Sequence, residues 1–291
     1  MLKFGIIGFP LDHSLSPLMH TTALQNLNIV GEYKAYEIKE DEFEKKVKQL
    51  IASGLHGFNV TIPYKTRIIP LLDKLTKEAE LAQAVNTVTI DKTGITTGSN
   101  TDITGFFEAI PLDVRKKIKE TNVVVLGNGG AARAVCIAFL LNGIKRIKIY
   151  GRSKEKLERF KEFLTDRKNK LRTNTNIEVE TCHGMSGPDN VKILVNTTPL
   201  GMYPNTDKSP VSIDDLKKLP KDALVYDIIY NPLETKLLKD AKLLNLKTLN
   251  GMEMFIRQGA ESLGIWLKQD PPLGAMRLSV ETCHGMSLRG N

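Results

Sequence analysis

The run NVVVLG (122 to 127) passes without a spacer into Gly127, Asn128, Gly129, Gly130, Ala131 and Ala132, and then into an apolar stretch lasting to Asn142. A strand, a glycine-rich turn and a helix in that order are the context a dinucleotide-binding fingerprint requires. Gly127 permits the tight turn, Gly129 lets backbone approach a pyrophosphate, and Ala132 is small enough for close packing of helix on strand. The helix start adds free N–H groups and the positive end of its dipole. A glycine-rich turn that binds nothing is the plain alternative.

The next strand speaks to the choice of nucleotide. An NAD site places Asp or Glu roughly 20 residues past the loop, where it holds the ribose 2′-hydroxyl. Here the strand IKIY ends at Tyr150 and is followed by Gly151, Arg152, Ser153, Lys154 and Glu155. Arginine can clasp a 2′-phosphate through its planar fork, with Ser153 and Lys154 adding a hydroxyl and a charge. NADP is the expected cofactor, although solvated charge at a helix start would look the same.

Short β-branched runs alternate with amphipathic stretches along most of the chain, the pattern of βαβ units and parallel sheets. Strands are expected at 3–8, 31–38, 57–63, 86–90, 122–127, 144–150, 191–196 and 223–229, and helices at 17–27, 41–53, 65–72, 76–82, 104–110, 130–142, 153–169, 235–244 and 252–268. The class is α/β in two domains. Residues 1–102 and 251–291 form one, and 103–250 form a Rossmann-like nucleotide-binding domain, with the C-terminal helix returning to the first.

The net charge of +8 raises the question of nucleic acid, but the lysines are interleaved with acids, as in KEDEFEKKVKQL (39 to 50). Such stretches are solvated helix faces, and no basic block with interleaved aromatics stands out. No nucleic-acid or membrane partner is expected, since no apolar run approaches the roughly 18 residues a membrane span needs. Cys136, Cys182 and Cys283 are too few and scattered for a disulfide framework, which points to a reducing cytoplasm. The octapeptide VETCHGMS occurs at 179–186 and again at 280–287 between unrelated flanks, which reads as a local duplication. Its adjacent Cys-His pairs lack usual zinc spacing, so no metal is expected.

Near the N-terminus GFPLDHSLSP (8 to 17) joins a strand to a helix. In an extended segment Ser14 and Ser16 would face one side and offer both hydroxyls to one anion, while Pro17 in the first helical turn makes Ser16 the expected N-cap. In NVTIPYK (59 to 65) alternation puts Asn59 and Thr61 on one face, and Pro63 ends the strand and delivers Lys65 at its tip. Read alone, Lys65 is a surface lysine and Asp102 an N-cap of the helix ITGFFEAI.

Taken together, GFPLDHSLSP, GFNVTIPYK, AVNTV, GSNTDITG, GNGGAARA, VNTTPLGMYP, YDIIYNPLET and NGMEMFIRQGAE stand in the order found in shikimate dehydrogenases, which this chain resembles over roughly residues 4 to 268. It departs from them where Gly151, Arg152 and Ser153 stand for the common Asn-Arg-Thr, and where Asn128 sits inside the glycine loop. The resemblance implies reversible NADPH-linked reduction of 3-dehydroshikimate to shikimate, a step of aromatic amino-acid biosynthesis. It further implies that Ser14 and Ser16 hold the substrate carboxylate, that Thr61, Asn86, Asp102, Tyr230 and Gln258 contact its hydroxyls and ring, and that Lys65 is the catalytic lysine. On the cofactor side it implies 127 to 131, Tyr150 to Glu155, and Ile228 and Gly251 near the nicotinamide.

Those residue types suit the chemistry. Hydride addition to a ketone builds negative charge on oxygen, which a positioned ammonium both stabilises and protonates. Asp102 then orients Lys65 and the adjacent substrate hydroxyl. Outside that role Asn86 reads as a turn residue, Tyr230 as core packing and Gln258 as a helix polar. Two other readings remain open from sequence: a quinate/shikimate dehydrogenase of broader substrate or NAD specificity, which Arg152 opposes, and a non-catalytic NADP-binding regulator, which the presence of both Lys65 and Asp102 opposes. Monomer and homodimer are equally compatible with the sequence.

Overall fold

The computed structural model describes residues 1–181 and 190–287. The chain divides into two compact units, Met1–Gly105 with the residues from Ile256 onward, and Phe106–Phe255.

The first unit contains β1 (Leu2–Gly8), α1 (Ser16–Asn26), β2 (Gly31–Glu37), α2 (Phe43–Ala52), β3 (Gly57–Val60), β4 (Lys74–Leu75), α3 (Lys77–Ala82), β5 (Thr87–Ile90), β6 (Thr96–Ser99) and the start of α4 (Asp102–Ala109). Its sheet runs β2-β1-β3-β5-β6-β4. β1 is parallel to β2 and β3, but β5 is antiparallel to β3 and β6, so the sheet is mixed. The departure from a parallel sheet comes from a tight hairpin. Asp91 Oδ1 accepts from the N–H groups of Thr93 (2.8 Å) and Ile95 (3.0 Å) and closes the turn between β5 and β6. Strand β6 itself, TTGS, has no apolar alternation to betray it.

A core of Ile7, Phe43, Val47, Phe58, Val60, Tyr64 and Val88 fills the α2 side of this sheet. Tyr64 is fully buried, stacks on Phe43 at 4.2 Å, and donates to the Ile38 carbonyl at 2.6 Å. The helix expected at 65–72 is only a 3₁₀ turn at Ile69–Leu71, because Pro70 lacks the N–H a longer helix needs there.

The second unit continues with α5 (Leu112–Arg115), β7 (Asn122–Leu126), α6 (Gly130–Leu141), β8 (Arg146–Gly151), α7 (Lys154–Leu171), β9 (Asn176–Thr181), β10 (Val191–Asn196), α8 (Ile213–Lys217), β11 (Leu224–Asp227), α9 (Lys236–Leu243) and β12 (Lys247–Leu249). All its strand pairs are parallel, in the order β12-β11-β10-β7-β8-β9. This is the doubly wound arrangement, whose order reverses beside β7. Val123, Val124, Val125 and Leu126 are all buried, which is why β7 is a continuous apolar run.

The helix α10 (Met252–Leu267) straddles the boundary between the units, and α11 (Leu273–Ser287) follows it. α11 extends beyond the last expected helix and packs on α1, burying Met276 and Val280. Residues Gly251–Phe255, expected in the first domain, belong to the second unit. The Gly251 N–H donates to the Ile229 carbonyl at 2.9 Å, and Phe255 stacks on Tyr230 at 4.4 Å, so local contacts hold them there.

The described residues of the two octapeptide copies differ in conformation. Val179, Glu180 and Thr181 lie on β9, paired with β8, whereas 280–287 are helical in α11. Residues 182–189, which include the first Cys-His pair, lie outside the described residues.

Candidate active site

In the first unit the lysine arrives at its place through Tyr64, whose burial and hydrogen bond fix the backbone immediately before it. The Lys65 carbonyl accepts from the Val85 N–H at 2.7 Å, tying the NVTIPYK segment to AVNTV. From there Lys65 Nζ donates to Asp102 Oδ2 at 2.6 Å, with side-chain exposures of 18% and 7%. Asp102 is the first residue of α4. Its other oxygen, Oδ1, accepts from Asn86 Nδ2 at 2.9 Å, so both carboxylate oxygens are engaged by side chains and the plain helix-cap reading does not hold. The reading of Lys65 as a surface lysine is likewise replaced by that of a lysine held in an ion pair.

Asn86 is 1% exposed and joins several elements. Its Oδ1 accepts from the Thr101 N–H at 2.8 Å, and its Nδ2 approaches Gln258 Oε1 of α10 at 3.3 Å. Lys65, Asn86, Asp102 and Gln258 thus form one connected group.

Ser14, Ser16 and Thr61 sit around the ends of β1 and β3. Ser16 is not an N-cap: it is the first residue of α1, the preceding Leu15 is already in the αR region, and Ser14 Oγ accepts from the Ser16 N–H at 3.4 Å. The segment turns instead of running extended, since the Ser14 N–H returns to the Leu11 carbonyl at 2.9 Å. β3 ends at Val60, so the alternation expected to pair Asn59 with Thr61 stops short. Thr61 is half-buried against Gly8, its N–H bonded to the Ile7 carbonyl at 2.9 Å.

In the second unit the glycine turn has the predicted form. Gly127 has φ +106°, and a Cβ there would lie 2.7 Å from Thr197 Oγ1, so glycine is required. A Cβ on Gly129 would meet only open space, which is the room a ligand's phosphates need against the first N–H groups of α6. Ala132 is fully buried. Asn128, Gly130 and Ala131 are half-buried beside it.

After the fully buried Tyr150 and Gly151, Arg152 is exposed with no acceptor among the described residues. Ser153 caps α7, its Oγ accepting from the Lys156 N–H at 3.3 Å while its own proton stays available. Lys154 and Glu155 are exposed, and Glu155 pairs with Arg159 at 2.6 Å. A cavity of about 500 Å³ opens beside Leu126 and Tyr150, bordered by Val211, Ile213 and the Lys236–Asp240 ion pair. These residues fit a dinucleotide carrying a further phosphate.

Sequence reading missed the lock between the loops after β10 and β11. Asp227 is buried and accepts from Asn196 Nδ2 (3.1 Å), the Ile229 N–H (3.1 Å) and Thr235 Oγ1 (2.7 Å). Burial pushes its carboxyl up to about 6, against the opposing pull of those donors. Asn196 Oδ1 in turn accepts from the Thr198 N–H at 2.9 Å. Together they set the backbone at Ile228, and Gly251 passes so close to the Ile228 carbonyl that no side chain fits. The motifs VNTTPLGMYP and YDIIYNPLET contained the signal. Tyr230 stacks on Phe255, and burial pushes its phenol up to about 12, keeping it a neutral O–H donor.

An α/β unit with a largely buried lysine–carboxylate pair and a second unit with a doubly wound sheet and a phosphate-accepting glycine turn define a nucleotide-linked oxidoreductase. A sequence-family model described as shikimate dehydrogenase substrate binding domain matches residues 6–88, and one described as shikimate 5′-dehydrogenase C-terminal domain matches 251–280. The NADP(+)-type shikimate dehydrogenase of Microcystis aeruginosa is 40% identical over 278 residues, 94% of each chain. A crystal structure of a shikimate dehydrogenase in complex with NADP+ superposes with TM-score 0.85 at 36% identity, covering 97% of this chain and 95% of that one. The Thermus thermophilus shikimate 5-dehydrogenase in complex with NADP(H) and shikimate gives TM-score 0.82 at 29% identity, covering 97% and 99%. The chain belongs to the shikimate dehydrogenase family.

Proposed function

We propose that the chain catalyses the reversible NADPH-linked reduction of 3-dehydroshikimate to shikimate, with Lys65 and Asp102 as the catalytic pair. The observation that carries this is the Lys65 Nζ to Asp102 Oδ2 contact of 2.6 Å in a largely buried setting, with Asn86 closing the other side of the carboxylate. When bound, NADPH supplies the hydride that adds to the C3 carbonyl carbon. The Lys65 ammonium donates its proton to the carbonyl oxygen, cancelling the charge that grows there. Asp102 holds that ammonium in line and accepts from the neighbouring substrate hydroxyl. In the reverse direction neutral Lys65 takes the hydroxyl proton back.

Ser14 and Ser16 hold the substrate carboxylate by donating their hydroxyl protons, and Thr61, Asn86, Gln258 and Tyr230 contact its hydroxyls and ring. Residues 1–105 with those from Ile256 onward serve as the substrate domain, and 106–255, which include Gly251, as the NADP domain. There Gly127, Asn128, Gly129, Gly130 and Ala131 carry the pyrophosphate, Arg152, Ser153 and Lys154 the 2′-phosphate, and Tyr150, Gly151, Glu155, Ile228 and Gly251 line the remainder. No helix among the described residues is long and apolar enough to cross a membrane, and Cys136 and Cys283 are free thiols, in keeping with a cytoplasmic setting.

The test is shikimate-dependent reduction of NADP followed at the nicotinamide absorbance, with quinate and NAD as controls. Turnover with shikimate and NADP well above either control is expected. Absence of turnover, or preference for quinate or NAD, would overturn the assignment.

A further inference from the structure

Four buried side chains that the mechanism does not use gather behind Asn86. Asn59, Thr87, Thr101 and Ser262 are each at most 6% exposed. Asn59 Oδ1 accepts from the Tyr33 hydroxyl at 2.7 Å, which directs its Nδ2 to the Asn86 carbonyl (3.0 Å), Thr87 Oγ1 (3.1 Å) and Ser262 Oγ (3.0 Å). The Thr87 and Ser262 hydroxyls lie 2.8 Å apart, and Thr87 Oγ1 lies 3.1 Å from Asn86 Oδ1. Ser262 Oγ is also 2.9 Å from the Gln258 carbonyl, one helical turn back on α10.

The two ends of an amide have nearly the same shape, so its neighbours' protons decide which end points where. The Thr101 N–H and the Thr87 hydroxyl both select Oδ1 of Asn86, which leaves Nδ2 for Asp102, Thr101 Oγ1 and Gln258. The same hydroxyl pair joins α10, the element that carries Gln258, to β5, the strand that begins beside Asn86. We infer that Thr87 and Ser262 are positioning residues for the reduction, acting through Asn86 and Gln258 to hold Asp102 and a substrate hydroxyl in register. Neither is among the residues assigned above to substrate or cofactor. This inference rests on the catalytic reading of Lys65 and Asp102 given above.

Thr87→Val keeps the shape and removes the hydroxyl, while Asn59 Nδ2 retains the Asn86 carbonyl and Ser262 as acceptors, so the fold is expected to survive. Losing one orienting hydrogen bond to the site is expected to lower kcat for shikimate oxidation about tenfold, with KM for NADP unchanged. Thr87→Ser restores the hydroxyl and is expected to return kcat to within about twofold of the parent. Ser262→Ala, measured in parallel, is expected to lower kcat in the same direction and serves if the valine variant does not fold. A kcat within about twofold of the parent for Thr87→Val and Ser262→Ala, alongside an impaired Asp102→Asn, would overturn the positioning role and leave the catalytic reading intact. An Asp102→Asn variant of parental activity would overturn both. Failure of serine to rescue the valine variant would also count against the inference.

Discussion

A His20→Phe substitution should change how the protein's stability responds to acid, by an amount set by burial. His20 lies on α1, fully buried, stacked on Tyr33 at 4.3 Å and tilted against Trp266 at 5.6 Å. Neither ring nitrogen has a hydrogen-bond partner among the described residues. Burial pulls the imidazole down from 6.5 to about 3, because the charged form has nothing to solvate it. Below pH 6.5 the unfolded chain takes up a proton that the folded chain refuses until about pH 3. The histidine's contribution is therefore complete above the unfolded value and is lost as pH falls, at about 1.4 kcal/mol per pH unit. Between pH 7 and pH 5 the loss is about 2 kcal/mol. Phenylalanine binds no proton, so the stability difference between variant and parent should move toward the variant by that amount. Urea unfolding at pH 7, 6 and 5 reads it, followed by the fluorescence of Trp266, the one tryptophan in the chain. Any offset at pH 7 from fitting a larger ring is separate from the slope. A difference constant within about 0.5 kcal/mol across that range would refute the buried, neutral histidine.

Lys65→Met keeps the length and apolar stem and removes the ammonium; kcat should fall about 100- to 10,000-fold while shikimate and NADP still bind, and turnover within about threefold of the parent would end the assignment. Arg152→Ala should raise KM for NADP roughly tenfold or more through loss of a charge-assisted contact, with little effect on NAD or shikimate; equal losses for both nucleotides would show that it does not read the 2′-phosphate. Asp227→Asn tests the opposite titration. With its carboxyl raised from 3.8 to about 6, Asp227 stabilises fully below the unfolded value and loses that contribution as pH rises through 6. Acidification from pH 7 to 4 should thus favour the parent over the asparagine variant by about 2.5 kcal/mol, read by thermal or urea unfolding monitored in the far-UV.

Elements whose residues carry their own signal were legible in the sequence. β7 is apolar from Val123 to Leu126 because it is buried on both faces, and α7 shows Leu157, Phe160 and Leu164 on one buried stripe behind the Ser153 cap. Elements that depend on what lies beside them were not. β6 has no alternation, β4 and β12 are two and three residues long, and α8 is a single capped turn whose box is Ser212 with Asp215. The repeated octapeptide makes the point within one chain. Its Val-Glu-Thr is a strand where β8 offers Ile149 and Tyr150 as partners, and helix where Val280 can bury against α1. Propensity is the same in both copies, so the difference lies entirely in the surroundings.

The same division runs through the site. The glycine turn announces itself because missing side chains at a strand end are unusual, whereas Lys65 and Asp102, read alone a surface lysine and a helix cap, stand out only through the family motifs that surround them. Ser262 does not, since a serine between alanine, glutamate and leucine on α10 is unremarkable until the fold sets it 2.8 Å from Thr87, 175 positions away in sequence. The Lys65–Asp102 pair needs that hidden layer. A carboxylate can orient a lysine only if its own rotation is stopped, and here Asn86 stops it on the side away from Nζ. Asn86 in turn cannot choose which end of its amide to present without the Thr101 N–H and the hydroxyls behind it. Substituting the charged pair should therefore abolish chemistry, whereas loosening the hydroxyls should leave the pair present but mispositioned, with a smaller loss concentrated in kcat.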